Sequence, residues 1–375
     1  MVKGGSPLRI IQIYSSLSRG GAETWLMDIM RNTTRKEFQF DICLTGCVKG
    51  PYEDEFKSLG GKIYRCLLSK NLLSFSHRFK QILTTECYDI VHSHVYYFSG
   101  LILMLAAHAG VPKRISHLHP VEDLKVTQLL RGFYVWSMKR LINRYGTCFV
   151  GPSEASLEGF FGPDWKQDPT KQVIYNGIRT DRFLQPADRM KVRRGLGIPE
   201  DALIVINVSS FRPHKRHGFL VQVAEHVLAQ RQDVYFLLIG TGVLKEAIEE
   251  QVRRKGLADH FRFISGRPNI DSYWLAADVF AFPSCNEGFG IVIIEAALAG
   301  LRIVAQDISG VQEAAAICPD AILLPLETPA EQWGQRLLDV LKGPRIPETR
   351  RHKMLKEFPF TIENSIKKLR EVYYG

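Results

Sequence analysis

CNEGFGIVIIEAALAG (residues 285–300) sets one carboxylate, Glu287, in a loop, follows it with Gly288, Phe289 and Gly290, and then runs into an apolar helix carrying a second carboxylate, Glu295. The residues before it, DVFAFPS (278–284), read as a buried strand. Strand, polar glycine loop and helix make the βα step of a doubly wound sheet, whose ligands bind at the carboxyl ends of the strands. Amides at the helix start, around Gly290, Ile291 and Val292, favour a negative group such as a diphosphate. Glu287 then sits beside that anion and accepts hydrogen bonds from neutral donors such as sugar hydroxyls. Glu295 lies five residues into the helix, about 7 Å further along at about 1.5 Å per residue. That offset suits a second hydroxyl-bearing ring, the ribose of a nucleotide. An incidental glutamate in so apolar a helix is disfavoured, because unpaired carboxylates are rarely buried.

Outward from this stretch the βα pattern fills the chain. LRIIQIY (8–14), FQFDICLT (38–45), YDIVHSH (88–94), KRISHL (113–118), GTCFVG (146–151) and KQVIYN (171–176) read as strands. Most are continuous apolar runs, as in a parallel sheet covered on both faces. Helical segments such as AETWLMDIMRNT (22–33) separate them. A second series follows in LIVINVSS (203–210), VYFLLIG (234–240), FRFISG (261–266), DVFAFPS and RIVAQD (302–307). NGIRTDRFLQPADRM (176–190), rich in turn-forming and charged residues, reads as the linker. The expectation is an α/β chain of two Rossmann-like domains, residues 1–180 and 181–358. The amphipathic segment within FTIENSIKKLREVYY (360–374) makes a closing helix over 359–375.

Size and composition agree. A chain of 375 residues suits two cores, and 45% hydrophobic with 23% charged residues is the content of a folded globular protein. No apolar stretch reaches the roughly 18–20 residues of a membrane span. The first residues lack the apolar segment of a secretory leader, and seven scattered cysteines form no Cys-x-x-Cys pair. These features predict a cytoplasmic protein without a disulfide frame. Residues 1–180 carry 23 Lys and Arg against 15 Asp and Glu, the remainder 26 against 24. A basic first half suits an anionic partner. Nucleic acid is not expected, because recognition motifs and interleaved aromatics are missing.

The glutamate pair in EGFGIVIIE resembles the E-x7-E motif of the retaining glycosyltransferases of family 4, which have the GT-B fold. IIQIYSSLSRGGAETWLMDIMRN, DIVHSHVYYFSG, GVPKRISHLHP, VGPSEASLEGF, VIYNGI and ADVFAFPSCNEGFG resemble further segments of that family. The nearest likeness is to bacterial enzymes of polysaccharide assembly. The resemblance implies two Rossmann-like domains, an interdomain cleft and a C-terminal helix crossing back to the first domain. It also implies retaining transfer of a hexose from a nucleoside-diphosphate sugar. That sugar, UDP- or GDP-linked, is a co-substrate, and neither cofactor nor metal is expected; no Asp-x-Asp stands anywhere in the chain.

Carried over residue by residue, Glu287 reads the donor sugar and Glu295 the ribose, while backbone amides at Phe289, Gly290 and Ile291 hold the distal phosphate and Gly288 is a further donor contact. Lys215 in FRPHKRHGF (211–219) matches the lysine that neutralises the diphosphate. Where family members often carry Gly-Arg this chain has Ser209-Ser210, so Arg212 or Arg216 is the expected substitute. Gly20 and Gly21 before the first helix, Gly240 in the Gly-x-Gly of 240–242, Arg267 and Glu313 complete the expected donor contacts. On the acceptor side His119 resembles the histidine near the reacting sugar, with His117 as rival. His92 and His94 form a similar pair, and one member of each pair is expected to face the core and the other the cleft.

The acceptor is expected to be a glycan or a lipid-diphosphate-linked sugar. VTQLLRGFYVWSMKRLINRYG (126–146) mixes aromatics with Arg131, Lys139, Arg140 and Arg144, which suits peripheral contact with an anionic membrane on the inner face. Two other readings keep the same fold. A sugar-nucleotide epimerase would need no acceptor, and a non-catalytic partner would bind the donor without turning it over.

Overall fold

The computed structural model describes residues 6–68, 71–119, 129–183, 188–265, 270–318 and 320–375. Two compact units emerge, Met1–Ile178 together with Phe360–Gly375, and Arg179–Pro359.

The first unit is a parallel sheet of β1 (Leu8–Tyr14), β2 (Phe38–Leu44), β3 (Ile63–Arg65), β4 (Ile90–Ser93), β5 (Lys113–His117), β6 (Cys148–Gly151) and β7 (Lys171–Val173). Their spatial order is β3-β2-β1-β4-β5-β6-β7, so the winding reverses between β1 and β4. The two-residue period of a strand sends alternate side chains to opposite faces. Leu8, Ile10 and Tyr14 pack under the helices Gly21–Asn32 and Ile362–Tyr374. Ile11 and Ile13 pack on the other side, against Leu72–Glu86 and Ser99–His108. Gln12 falls on the first face, opposite His92 of β4 in register.

The closing helix Ile362–Tyr374 belongs to this unit. Thr361 caps it by accepting from the Asn364 amide. Ile362, Ser365, Ile366, Leu369, Val372 and Tyr373 form its buried stripe at three- and four-residue steps. Trp25 Nε1 donates to Ser365 Oγ at 2.7 Å, and the Lys113 ammonium donates to the Val372 carbonyl at 2.6 Å. That cation meets the negative end of the helix.

The second unit is a parallel sheet of β8 (Leu203–Val208), β9 (Val234–Ile239), β10 (Phe261–Ile264), β11 (Val279–Phe282), β12 (Arg302–Gln306) and β13 (Ile322–Leu324). Its order β10-β9-β8-β11-β12-β13 reverses between β8 and β11. Phe211, Val223, Trp333 and Leu337 fill one face. At the amino end of β11, Asp278 accepts from Arg193 (2.8 Å) and from the Ile204 amide (2.8 Å), and Arg189 also bonds it. The Arg193 guanidinium is buried and donates as well to the carbonyls of Glu200, Ala202 and Ala276.

The edge strands β3 and β13, three residues each, were not expected from the sequence. The basic aromatic helix spans Leu129–Tyr145, and the residues before it in the 126–146 reading lie outside the described residues. Phe133, Tyr134 and Trp136 are exposed on it. Among the described residues no helix is long and apolar enough to cross a membrane.

Candidate active site

In the second unit the site grows from the two central strands. The loop after β8 and the loop after β11 are neighbours at the reversal, and backbone joins them. The Cys285 amide donates to the His214 carbonyl at 2.9 Å, and Ser284 Oγ donates to the same carbonyl at 3.3 Å. Lys215, on the short 3-10 turn Pro213–Lys215, is thereby brought to Glu287, with which it forms an ion pair. Its ammonium also lies 5.3 Å from the centre of the Phe282 ring.

Gly290 caps the helix Ile291–Leu298 in the left-handed conformation, φ 60°, where a side chain is disfavoured. The first amides of that helix have no partner within it and form a positive end. Phe289 is buried and anchors the loop, while Gly288 and Ile291 are half-buried. Gly310 presses on the same loop from the helix Ser309–Ala315. A Cβ there would lie 2.3 Å from the Glu287 carbonyl oxygen, so only glycine permits this approach. Half-buried Glu313 lies on that helix.

Glu295 is buried and paired. Arg182 Nη1 lies 3.4 Å from its Oε1, and the same guanidinium is forked onto Asp271. The site-forming residues Arg182, Asp271 and Gly310 were missed in the sequence. Arg182 stands just after the Asn-Gly-Ile turn, which was the available signal.

The two candidate arginines differ in their engagement. Arg216 Nη1 donates to Gln306 Oε1 at 2.7 Å, and its guanidinium lies 4.2 Å from the Phe219 ring centre. Arg212 is exposed. Ser209, where the family pattern differs, donates to Asn207 Oδ1 at 2.8 Å and bonds His217 Nε2 at 3.1 Å. Burial, with the charges of Lys215 and His214 behind it, lowers the His217 imidazole to about 4. Gly240 and Gly242 close against this loop. A Cβ on Gly240 would lie 2.0 Å from the Ser209 carbonyl oxygen, which explains the Gly-x-Gly as a packing requirement. Arg267 lies outside the described residues.

In the first unit Gly20 and Gly21 begin the helix Gly21–Asn32, with Glu23 in its first turn held by Ser18 Oγ at 2.9 Å. The four histidines gather on one side of the sheet. His92, His94 and His117 are buried and His119 is half-buried. The expected split is not seen in His92 and His94, both buried, whereas His117 is buried and His119 half-buried. His94 and His119 stand past the ends of β4 and β5, with their rings 4.4 Å and 4.7 Å from those of His92 and His117. His117 and His119 stack with planes 2° apart. Gln12 and Tyr373 join the group by hydrogen bonds. Gln12 was legible as a polar residue inside the apolar run IIQIY. Tyr373 had no signal.

Burial drives these rings neutral. His92 is lowered to about 3 and His119 to about 4, and His94 and His117 fall well below the ordinary value. Among the described residues, His92, His94 and His117 are the one group with metal-ligand spacing, their ligand atoms lying within 4.8 Å of one another. Hydrogen bonds engage every ring nitrogen of that trio except His117 Nε2.

The second unit thus holds a positive helix end beside an ion-paired lysine and two carboxylates, and the first unit a cluster of neutral imidazoles. The comparisons with known proteins name the class. The family "Glycosyltransferase Family 4" matches residues 19–182, and "Glycosyl transferases group 1" matches residues 188–357. The chain belongs to the family 4 glycosyltransferases of the GT-B fold. It is 29% identical over 308 residues to EpsF of Bacillus subtilis (strain 168), covering 80% of each chain. It is 28% identical over 295 residues to the capsular polysaccharide biosynthesis glycosyltransferase CapH of Staphylococcus aureus, covering 77% of this chain and 78% of that one. Among solved structures, Anabaena HepE in complex with UDP and glucose superposes with a TM-score of 0.79 at 19% identity, covering 98% of this chain and 99% of that one.

Proposed function

We propose that this glycosyltransferase moves a hexose, with retention of anomeric configuration, from a UDP-sugar to a hydroxyl of a glycan or lipid-diphosphate-linked acceptor during cell-surface polysaccharide assembly. The observation that carries the reading is Lys215 paired with Glu287 beside the positive end of Ile291–Leu298. Cation and carboxylate satisfy each other. A bound donor would exchange that pair, turning Lys215 to the diphosphate and Glu287 to sugar hydroxyls, while Glu295 and Arg182 meet the ribose. Lys215 and the helix amides would stabilise charge as the diphosphate departs. Its phosphate oxygen would take the acceptor proton on the face it leaves, so no separate base is required. Arg212, exposed where Arg216 is engaged, would supply the second cation. His119 would meet the reacting sugar.

UDP ranks first among nucleoside diphosphates because HepE, of the same fold, holds UDP with glucose. No bound metal or cofactor is needed for this chemistry. The acceptor would be met at an anionic membrane surface on the cytoplasmic side, through the helix Leu129–Tyr145. The test is transfer from radiolabelled UDP-hexoses to lipid-linked saccharides, with the anomeric configuration of the product read by NMR. Acceptor-dependent transfer with retention supports the reading, and an inverted product overturns the retaining mechanism. The Ser209-Ser210 departure favours one second reading, a binding partner. That reading predicts UDP-sugar binding without transfer to any acceptor.

A further inference from the structure

The buried histidines form one hydrogen-bond chain whose direction can be worked out atom by atom. Gln12 Nε2, a donor only, gives its hydrogen to Tyr373 Oη at 3.0 Å. The phenol's own hydrogen then goes to its other neighbour, His92 Nδ1 at 2.9 Å, which must carry a lone pair. His92 is neutral, so its proton is on Nε2 and is donated to His117 Nδ1 at 3.2 Å. The proton of His117 is therefore on Nε2, the one ring nitrogen of the buried trio without a partner.

On the other arm Gln12 Oε1, an acceptor only, receives His94 Nε2–H at 3.0 Å. His94 Nδ1 then accepts from His119 Nε2–H at 3.1 Å. All six groups are polarised in one sense, from His119 through His94, Gln12, Tyr373 and His92 to His117. All four rings carry the proton on Nε2. Turning the Gln12 amide over would reverse every bond and move all four protons to Nδ1. The observed orientation of Gln12, with Nε2 on Tyr373 and Oε1 on His94, sets the sense of the chain.

We infer that Gln12, Tyr373, His92, His94 and His117 act as positioning residues that lock His119 as the neutral Nε2–H tautomer, with its Nδ1 lone pair directed outward as an acceptor for a substrate hydroxyl. This rests on the reading that His119 meets the reacting sugar. It makes the closing helix, through Tyr373, part of the site's proton arrangement. The charges these rings feel are one another's; among the described residues no carboxylate acts on them.

The test uses the full chain with ring-15N histidine, the four signals assigned by single His→Gln changes. The expected spectrum shows four rings that stay neutral from pH 8 to 5.5 with the proton on Nε2 in each. A proton on Nδ1, or tautomer averaging at His119, overturns the inference. Tyr373→Phe removes one oxygen, and should release His92 and His117 into mixed tautomers while His119 stays locked. Gln12→Glu should make His94 an imidazolium that donates to His119 Nε2, moving the His119 proton to Nδ1. Transfer should then fall about a hundredfold in kcat with donor KM little changed. A Gln12→Glu protein with His119 still protonated on Nε2 contradicts the relay. Full activity of His119→Ala with the wild-type tautomers intact elsewhere would instead sink the sugar-contact reading and leave the relay standing.

Discussion

The two units use the same winding for opposite electrostatics. Around the central strands of the second unit, polar groups are charges held in pairs, Lys215 with Glu287, Arg182 with Glu295 and Asp271, Arg193 with Asp278. Around the central strands of the first, Gln12, Tyr373 and four neutral imidazoles form a chain without a formal charge. On the proposed function the cations and helix end of the second unit would meet the departing diphosphate, and the neutral rings of the first unit would meet a substrate hydroxyl. A parallel sheet gives both the same loops, so the side chains placed there decide the chemistry.

Four changes should sharpen that contrast, in falling order of size. Asp278→Ala leaves the buried Arg193 guanidinium without its carboxylate, and should cost about 3–5 kcal/mol in denaturant unfolding. Lys215→Ala should lower kcat/KM for transfer about 10²–10³-fold with the unfolding midpoint nearly unchanged. Third comes acid. Unfolding returns His92 to an ordinary imidazole that protonates near pH 6.5, while the folded ring stays neutral until about 3. The unfolded chain therefore binds more protons across that window, and stability falls as pH drops through it. His92 alone should cost about 2 kcal/mol at pH 5, with His119 acting in the same direction down to about 4. Replacing His92 by Gln should flatten the pH dependence of unfolding. Last comes Glu295→Gln, which leaves an acceptor for Arg182 while Arg182 keeps Asp271. It should shift unfolding by less than about 1 kcal/mol. Donor binding should nonetheless weaken about tenfold, a separation that a purely structural ion pair would not show.

What the sequence disclosed follows from range. Strands such as LRIIQIY and LIVINVSS were legible because burial on both faces writes a continuous apolar run. The three-residue edges Ile63–Arg65 and Ile322–Leu324 were not, since so short a pairing leaves no period to read. The loop of Glu287 was legible because its chemistry lies within sixteen consecutive residues. The partners Arg182 and Asp271 were not, being 113 and 24 positions from Glu295 and joined to it only by the fold. Tyr373 is more remote still, 361 positions from Gln12. The histidine pairs were harder to read, because His94 and His119 stand past the ends of β4 and β5, where the two-residue alternation no longer holds.

The central claim is a nucleoside-diphosphate site at Lys215, Glu287 and the start of Ile291–Leu298, and thermal unfolding with UDP, GDP, ADP, CMP and their sugar conjugates tests it most directly. A ligand at 100 times its dissociation constant stabilises by about 2.7 kcal/mol, which is readily seen. The account predicts a shift with UDP and UDP-sugars that disappears in Lys215→Ala and shrinks in Glu295→Gln. No shift with any nucleoside diphosphate at millimolar concentration, or an undiminished shift in Lys215→Ala, would contradict it.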